Sequence, residues 1–258
     1  LSGTSSSDMI AVNLSGTNNL TAASGASLNL LGNTLGSNSS SIAMQNNSVL
    51  NANGAITLTG CASSTLGWHH ALDIMGTTTL NALSGSTLNV NLTESIGDWS
   101  MAQNSGITST TGNVTFNTNA ANASAGQITG TTVWGTGGIS QMAYSSSAGT
   151  LTFNMTGSAG YGFYACASMV LNASSGGNIV INGTGSNNFN LTAASTVTTG
   201  AGNLTINAPV NLNSYSLNLT SGSGNVTLSN VISGTGSLTQ NTTGTTTLLG
   251  ANTYTGGT

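Results

Sequence analysis

Gly-Asn-Val-Thr-Phe-Asn at Gly112–Asn117 decides the fold, because the chain keeps rewriting it. Variants stand at Gly54–Thr59 (Gly-Ala-Ile-Thr-Leu-Thr), Gly149–Asn154 (Gly-Thr-Leu-Thr-Phe-Asn), Gly177–Asn182 (Gly-Asn-Ile-Val-Ile-Asn), Gly202–Asn207 (Gly-Asn-Leu-Thr-Ile-Asn) and Gly224–Ser229 (Gly-Asn-Val-Thr-Leu-Ser). Each is a turn glycine followed by apolar and polar residues in alternation, rich in β-branched side chains. That pattern specifies a short, half-buried strand entered from a turn.

The turn glycines Gly54, Gly76, Gly112, Gly149, Gly177, Gly202 and Gly224 recur at intervals of 22 to 37 residues, the range of a solenoid repeat. Three short strands and their turns make one coil of a parallel β-helix, and coils stack about 4.8 Å apart. The expected architecture is therefore all-β, one continuous parallel β-helix over residues 1–258 with protruding loop insertions. Ten or eleven coils would make a rod on the order of 50 Å long. Alternating Val, Ile, Leu and Phe would form apolar ladders inside, and asparagines would ladder from coil to coil. Glycine is expected at corners of positive φ.

Composition narrows the partners. The 258 residues contain no Lys or Arg, four acids (Asp8, Asp73, Glu94, Asp98) and two histidines, whereas an ordinary globular domain is about a quarter charged. The 37% of hydrophobic residues still suffice for a core. Without basic residues, nucleic acid is excluded as a partner, and phosphate ligands and anionic membrane surfaces are disfavoured. No apolar run reaches the length of a membrane-spanning helix, so direct membrane insertion by this segment is not expected. Asn-X-Ser/Thr triplets such as those at Asn13, Asn91 and Asn154 arise by chance in so Asn- and Thr-rich a chain and do not establish glycosylation. The start at Leu1 suggests a piece of a longer precursor.

Chemistry-bearing residues gather where the repeat falters, at Cys61–Met75, Thr93–Gly106 and Thr131–Val170. The first holds Trp68, His69, His70 and Asp73, the second Glu94, Asp98 and Trp99, the third Trp134 and Tyr144. These nine residues are the candidate ligand-binding set. Adjacent histidines on a strand face opposite ways, no third strong ligand is near, and neither cysteine lies in a CxxC motif, so no metal centre or cofactor is expected. Glu94 and Asp98 could form a carboxylate pair for glycoside cleavage. Such sites need further acids or a cation to stabilise developing charge, and the favoured reading is not an enzyme. The aromatics could stack on sugars or on a neighbouring subunit, or fill the cores of enlarged coils. Cys61 and Cys166 are about four coils apart, roughly 20 Å by the strand spacing, beyond the ~7 Å a disulfide tolerates. Free buried thiols are the first expectation, and an intersubunit bridge the second. Thr-X-Thr pairs at Thr57/Thr59, Thr77/Thr79, Thr196/Thr198 and Thr245/Thr247 invite an ice-binding reading, but their spacing is irregular and they do not obviously share a face.

The C-terminal stretch adds a resemblance. Ile232-Ser-Gly-Thr-Gly-Ser-Leu-Thr-Gln, followed by Gly244-Thr-Thr-Thr-Leu-Leu-Gly-Ala-Asn-Thr-Tyr-Thr-Gly-Gly-Thr258, resembles the passenger-associated transport repeat of bacterial autotransporters. The pattern I-x-G-x-G-x-L, then G-x-x-x-L-x-G-x-N-x-Y-x-G-x-T, is matched over residues 232–258. Gln240 stands where the family usually carries Lys or Arg. Upstream coils are similar to haemagglutinin-like surface β-helices in style alone. The resemblance implies a right-handed β-helix secreted to the bacterial outer surface, as part of a longer protein. The function expected is that of an extracellular structural or adhesive β-helix, forming surface, matrix or filament. Its partners would be copies of itself, end to end or side by side, and glycans. A polysaccharide-binding or polysaccharide-cleaving β-helix and an ice-binding β-helix are the alternatives.

Overall fold

The computed structural model describes residues 1–5, 10–35, 40–45, 48–62, 70–75, 79–83, 85–94, 98–101, 106–109, 112–120, 127–128, 143–146, 149–157, 163–165, 170–173, 176–183, 189–191 and 193–258. Every strand pairing among them is parallel, and each strand pairs with the strand three places along the chain. This is the connectivity of a parallel β-helix with three faces. The first face is a ten-stranded sheet: Ser2–Ser5, Ser27–Thr34, Ala55–Ala62, Thr87–Glu94, Asn113–Ala120, Thr150–Gly157, Asn178–Gly183, Leu204–Ile206, Val226–Leu228 and Thr246–Leu248. The second face runs from Val12–Leu14 through Asp98–Met101 as four strands and from Gln127–Ile128 to Ile232–Ser233 as five. The third runs from Asn19–Ala22 through Ala143–Ser146 and resumes from Val170–Ala173 to Leu238–Thr242. Nine steps between the ten first-face strands, at about 4.8 Å each, make a rod of about 43 Å.

Alternation along the repeated motif sorts side chains inward and outward. Ile56, Leu88, Val114, Leu151, Ile179, Leu204 and Val226 stack in one buried column. Leu30, Leu58, Val90, Phe116, Phe153, Ile181, Ile206 and Leu228 form a second, two residues along. Coil length varies widely beneath this regularity: equivalent positions are 37 residues apart from Asn113 to Thr150 and 20 apart from Asn225 to Thr245. Even across the longest coil the columns hold, with the rings of Phe116 and Phe153 stacked at 5.3 Å and 21°.

The motif glycines have a different cause from the one expected. Positive φ among the described glycines belongs to Gly16, Gly25, Gly85, Gly176 and Gly234, and none of these opens a copy of the motif. The motif glycines instead stack on the preceding coil's backbone. A Cβ on Gly224 would sit 1.8 Å from the carbonyl oxygen of Gly202, one on Gly202 2.0 Å from that of Gly177, and one on Gly244 2.2 Å from that of Gly224. Coil spacing, not backbone handedness, requires glycine at these positions.

Two further readings are corrected. Gly76 is not a member of the glycine column; the register Ile56↔Leu88↔Val114 puts Ser86 between Gly54 and Gly112, and Gly76 itself lies outside the described residues. The stretches read as irregular also contain strands, namely His70–Met75, Asp98–Met101, Ala143–Ser146 and Phe163–Ala165. These are placed by pairing with neighbouring coils, which a single local alternation does not reveal.

Candidate functional site

The register decides which of the nine candidate residues meet. Trp68, His69 and Trp134 lie outside the described residues. His70 opens the strand His70–Met75 and is the register partner of Asp98 on one side and Ser40 on the other. Their backbones are thus one strand spacing apart, about 4.8 Å. The pairing slips immediately afterwards, between Asp98 and Trp99. Asp73 does not join them: it pairs with Ala43 and Ser100, further along the same strands. Glu94 ends the first-face strand Thr87–Glu94 between Ala62 and Ala120. Asp98 opens a strand of the second face, so the two carboxylates of the proposed pair belong to different faces.

By backbone register, the two described aromatics of the set align with core positions of neighbouring coils. Trp99 pairs with Leu72, which continues Ile42 and Val12, all buried. Tyr144 pairs with Ile107, continuing Leu80 and Leu50, both fully buried. Among the described residues, no group of three or more His, Cys, Asp and Glu is arranged to hold a metal ion. Cys61 is a free, half-buried thiol whose carbonyl accepts the Ser41 hydroxyl at 2.6 Å, and Cys166 lies outside the described residues.

The most ordered chemistry is on the outward side of the first face, where asparagines ladder from coil to coil as their placement at strand ends leads one to expect. Three outward columns run along it. In the corner column, the asparagine of each Gly-Asn motif holds the next coil: Asn113 Oδ1 accepts from Thr150 N at 3.0 Å, Asn178 from Asn203 N at 2.8 Å, Asn203 from Asn225 N at 2.9 Å and Asn225 from Thr245 N at 3.0 Å. Four residues along, the closing asparagines form an amide ladder. Asn117 Nδ2 donates to Asn91 Oδ1 at 2.9 Å, Asn154 to Asn117 at 2.8 Å, Asn182 to Asn154 at 2.8 Å and Asn207 to Asn182 at 2.7 Å. The Ser229 hydroxyl closes it on Asn207 Oδ1 at 2.7 Å. In both columns the later coil donates and the earlier coil accepts. A shorter ladder, Asn81 to Asn51 to Asn19, repeats the device on the third face at 2.8 Å per step.

Between these columns lies a third: Asn29, Thr57, Asn89, Thr115, Thr152, Val180, Thr205, Thr227 and Thr247, each the register partner of the next. Two of the four Thr-X-Thr pairs picked from the sequence, Thr57/Thr59 and Thr245/Thr247, fall on this face near its opposite ends. Thr79, Thr196 and Thr198 belong to the third face, and Thr77 lies outside the described residues. The array was legible in Gly-x-apolar-Thr-apolar-Asn itself, whose polar positions are the ones the coil spacing stacks.

Fold and site together define a parallel β-helix carrying an uncharged, in-register array of hydroxyls and amides. Comparison with protein families, with curated proteins and with solved structures finds no match to this chain.

Proposed function

We propose that the chain is an extracellular structural and adhesive β-helix of a bacterial surface, matrix or filament, one that associates with copies of itself. The carrying observation is the unbroken register of the ten-stranded first face. Glycine contacts, corner asparagines and the amide ladder all point along the axis, so each coil presents to the next the groups by which it was itself held. Chemistry of that kind builds length and rigidity. The absence of Lys and Arg supports lateral or end-to-end packing, since like-charge repulsion between copies is minimal.

The resemblance of residues 232–258 to a passenger-associated transport repeat supports surface secretion as the route. Its pattern residues have identifiable jobs here. Ile232 and Leu238 are fully buried, and Asn252 Oδ1 accepts from Ile232 N at 2.9 Å. A Cβ on Gly236 would meet the Tyr215 carbonyl at 1.9 Å, and one on Gly256 the Gly236 carbonyl at 2.2 Å. Tyr254 packs against the core and its hydroxyl bonds Thr258 Oγ1 at 2.5 Å. Gln240 pairs with buried Leu219, and Thr246 continues the column of Val226, so two inward columns turn polar in the last coil.

Sedimentation and negative-stain electron microscopy of the full chain test the proposal. Rods that lengthen or bundle as concentration rises are expected. A monodisperse monomer at high concentration, with no fibres, contradicts it.

A further inference from the structure

The threonine column of the first face has an unusual status. The corner asparagines and the amide ladder flanking it are paired, yet among the described residues no protein group bonds the hydroxyls of Thr57, Thr115, Thr152, Thr205 or Thr227. These side chains are half-buried and stand in line. Over the six strands from Thr115 to Thr247 every member is β-branched; Val180 keeps the γ-methyl and lacks the hydroxyl. β-Branching restricts χ1, and the adjacent ladder fixes its own amides, so the array is rigid before anything binds. Each laddered asparagine retains one N–H and one lone pair for an outside partner.

We infer that this face binds ice. The repeat is about 4.8 Å along the axis and roughly 6.6 Å along each strand, twice the rise per residue. Both distances are of the order of the oxygen repeats on the faces of hexagonal ice, and an array of hydroxyls and methyls can anchor an ordered water layer that merges with the crystal. Other occupants fit less well. The hot spots of protein contacts are enriched in aromatic and Arg anchors, and this column holds neither. Sugar-binding platforms stack rings on exposed aromatics, whereas Trp99 and Tyr144 share register columns with buried core residues. An anionic partner finds no countercharge on a chain without Lys or Arg, and a cationic one finds no carboxylate in this column of threonines. The inference stands on the first face alone, independently of whether chains self-associate.

The test is thermal hysteresis and adsorption of the fluorescently labelled full chain to a single ice crystal. Wild type is expected to show both. Thr152→Tyr, in the middle of the column, should abolish hysteresis, while Thr198→Tyr, on the outward side of the third face, should retain it; circular dichroism checks that both are folded. If Thr152→Tyr fails to fold, Thr205→Val provides the second variant, expected to fold and to weaken hysteresis through the lost hydroxyl. No hysteresis and no adsorption by wild type overturns the inference, as does equal loss in Thr152→Tyr and Thr198→Tyr. Capture on crystalline cellulose or chitin without hysteresis overturns it in favour of a polysaccharide. A dimer abolished by Thr152→Tyr, again without hysteresis, overturns it in favour of a second copy.

Discussion

The coil between Asn113 and Thr150 and the coil between Asn225 and Thr245 differ by almost a factor of two in length, at 37 and 20 residues, yet they present the same first face. In both, a Gly-Asn corner holds the next coil's N–H at 3.0 Å, and inward apolar residues alternate with outward threonines. Most of the difference in length falls between first-face strands: 29 residues separate Asn113–Ala120 from Thr150–Gly157, and 17 separate Val226–Leu228 from Thr246–Leu248. The first face is therefore the invariant of the molecule, and the other two faces absorb insertions. Long connections cost little extra entropy, because closure grows only logarithmically with length. The strands they join must still land in register, and the glycine, phenylalanine and asparagine columns enforce that.

Substitutions in the two regions sharpen this contrast. The largest effect is expected for Phe153→Ala, which removes a stacked ring from the column bridging the longest coil and should cost about 4 kcal/mol in chemical denaturation. Gly224→Ala follows, in the compact region, where a Cβ would lie 1.8 Å from a carbonyl oxygen; about 3 kcal/mol is expected, at the upper end of overpacking penalties. Gly112→Ala, with its nearest backbone oxygen at 2.8 Å, should lose less in the same assay, and a larger loss there would break the coil-spacing account of the glycines.

Asn154→Ala removes two rungs of the amide ladder and leaves Asn117 Oδ1 and Asn182 Nδ2 without those partners, for an expected loss of about 2 kcal/mol. Asn207→Ala removes one amide rung and the Ser229 contact and should lose a similar amount. A ladder that matters in only one region would show the two apart in thermal melts. The smallest effect is a gain. Thr246 continues the aliphatic column of Leu204 and Val226 with a buried hydroxyl that lacks a partner, so Thr246→Val should stabilise by about 1 kcal/mol.

The strand-turn rhythm of Gly112–Asn117 and its variants was enough to read a solenoid, because period-2 alternation and coil-length recurrence are both local patterns. The role of glycine was not readable from that rhythm. A turn that needs positive φ and a corner pressed against a carbonyl of another coil use the same residue, and only the stacking of Gly202 under Gly224 separates them. Ser86 is inconspicuous for a related reason: the column tolerates an occasional non-glycine, and only the register shows that Ser86 stands between Gly54 and Gly112. The strands His70–Met75 and Asp98–Met101 were obscured because their pairing partners lie in other coils. Rarity is likewise a poor guide to the site: of His70, Glu94 and Asp98, the register joins His70 and Asp98 alone. The commonest residues, threonine and asparagine, carry the ordered array, and their regularity emerges once unequal coils are aligned by pairing.

Hydrogen–deuterium exchange along the first face tests the central claim most directly. If that face is continuous whatever the coil length, amides in Asn113–Ala120 and Thr150–Gly157 are protected as strongly as those in Leu204–Ile206 and Val226–Leu228. Protection that falls as the coils lengthen, with the strands around the 37-residue coil exchanging early, would contradict the account.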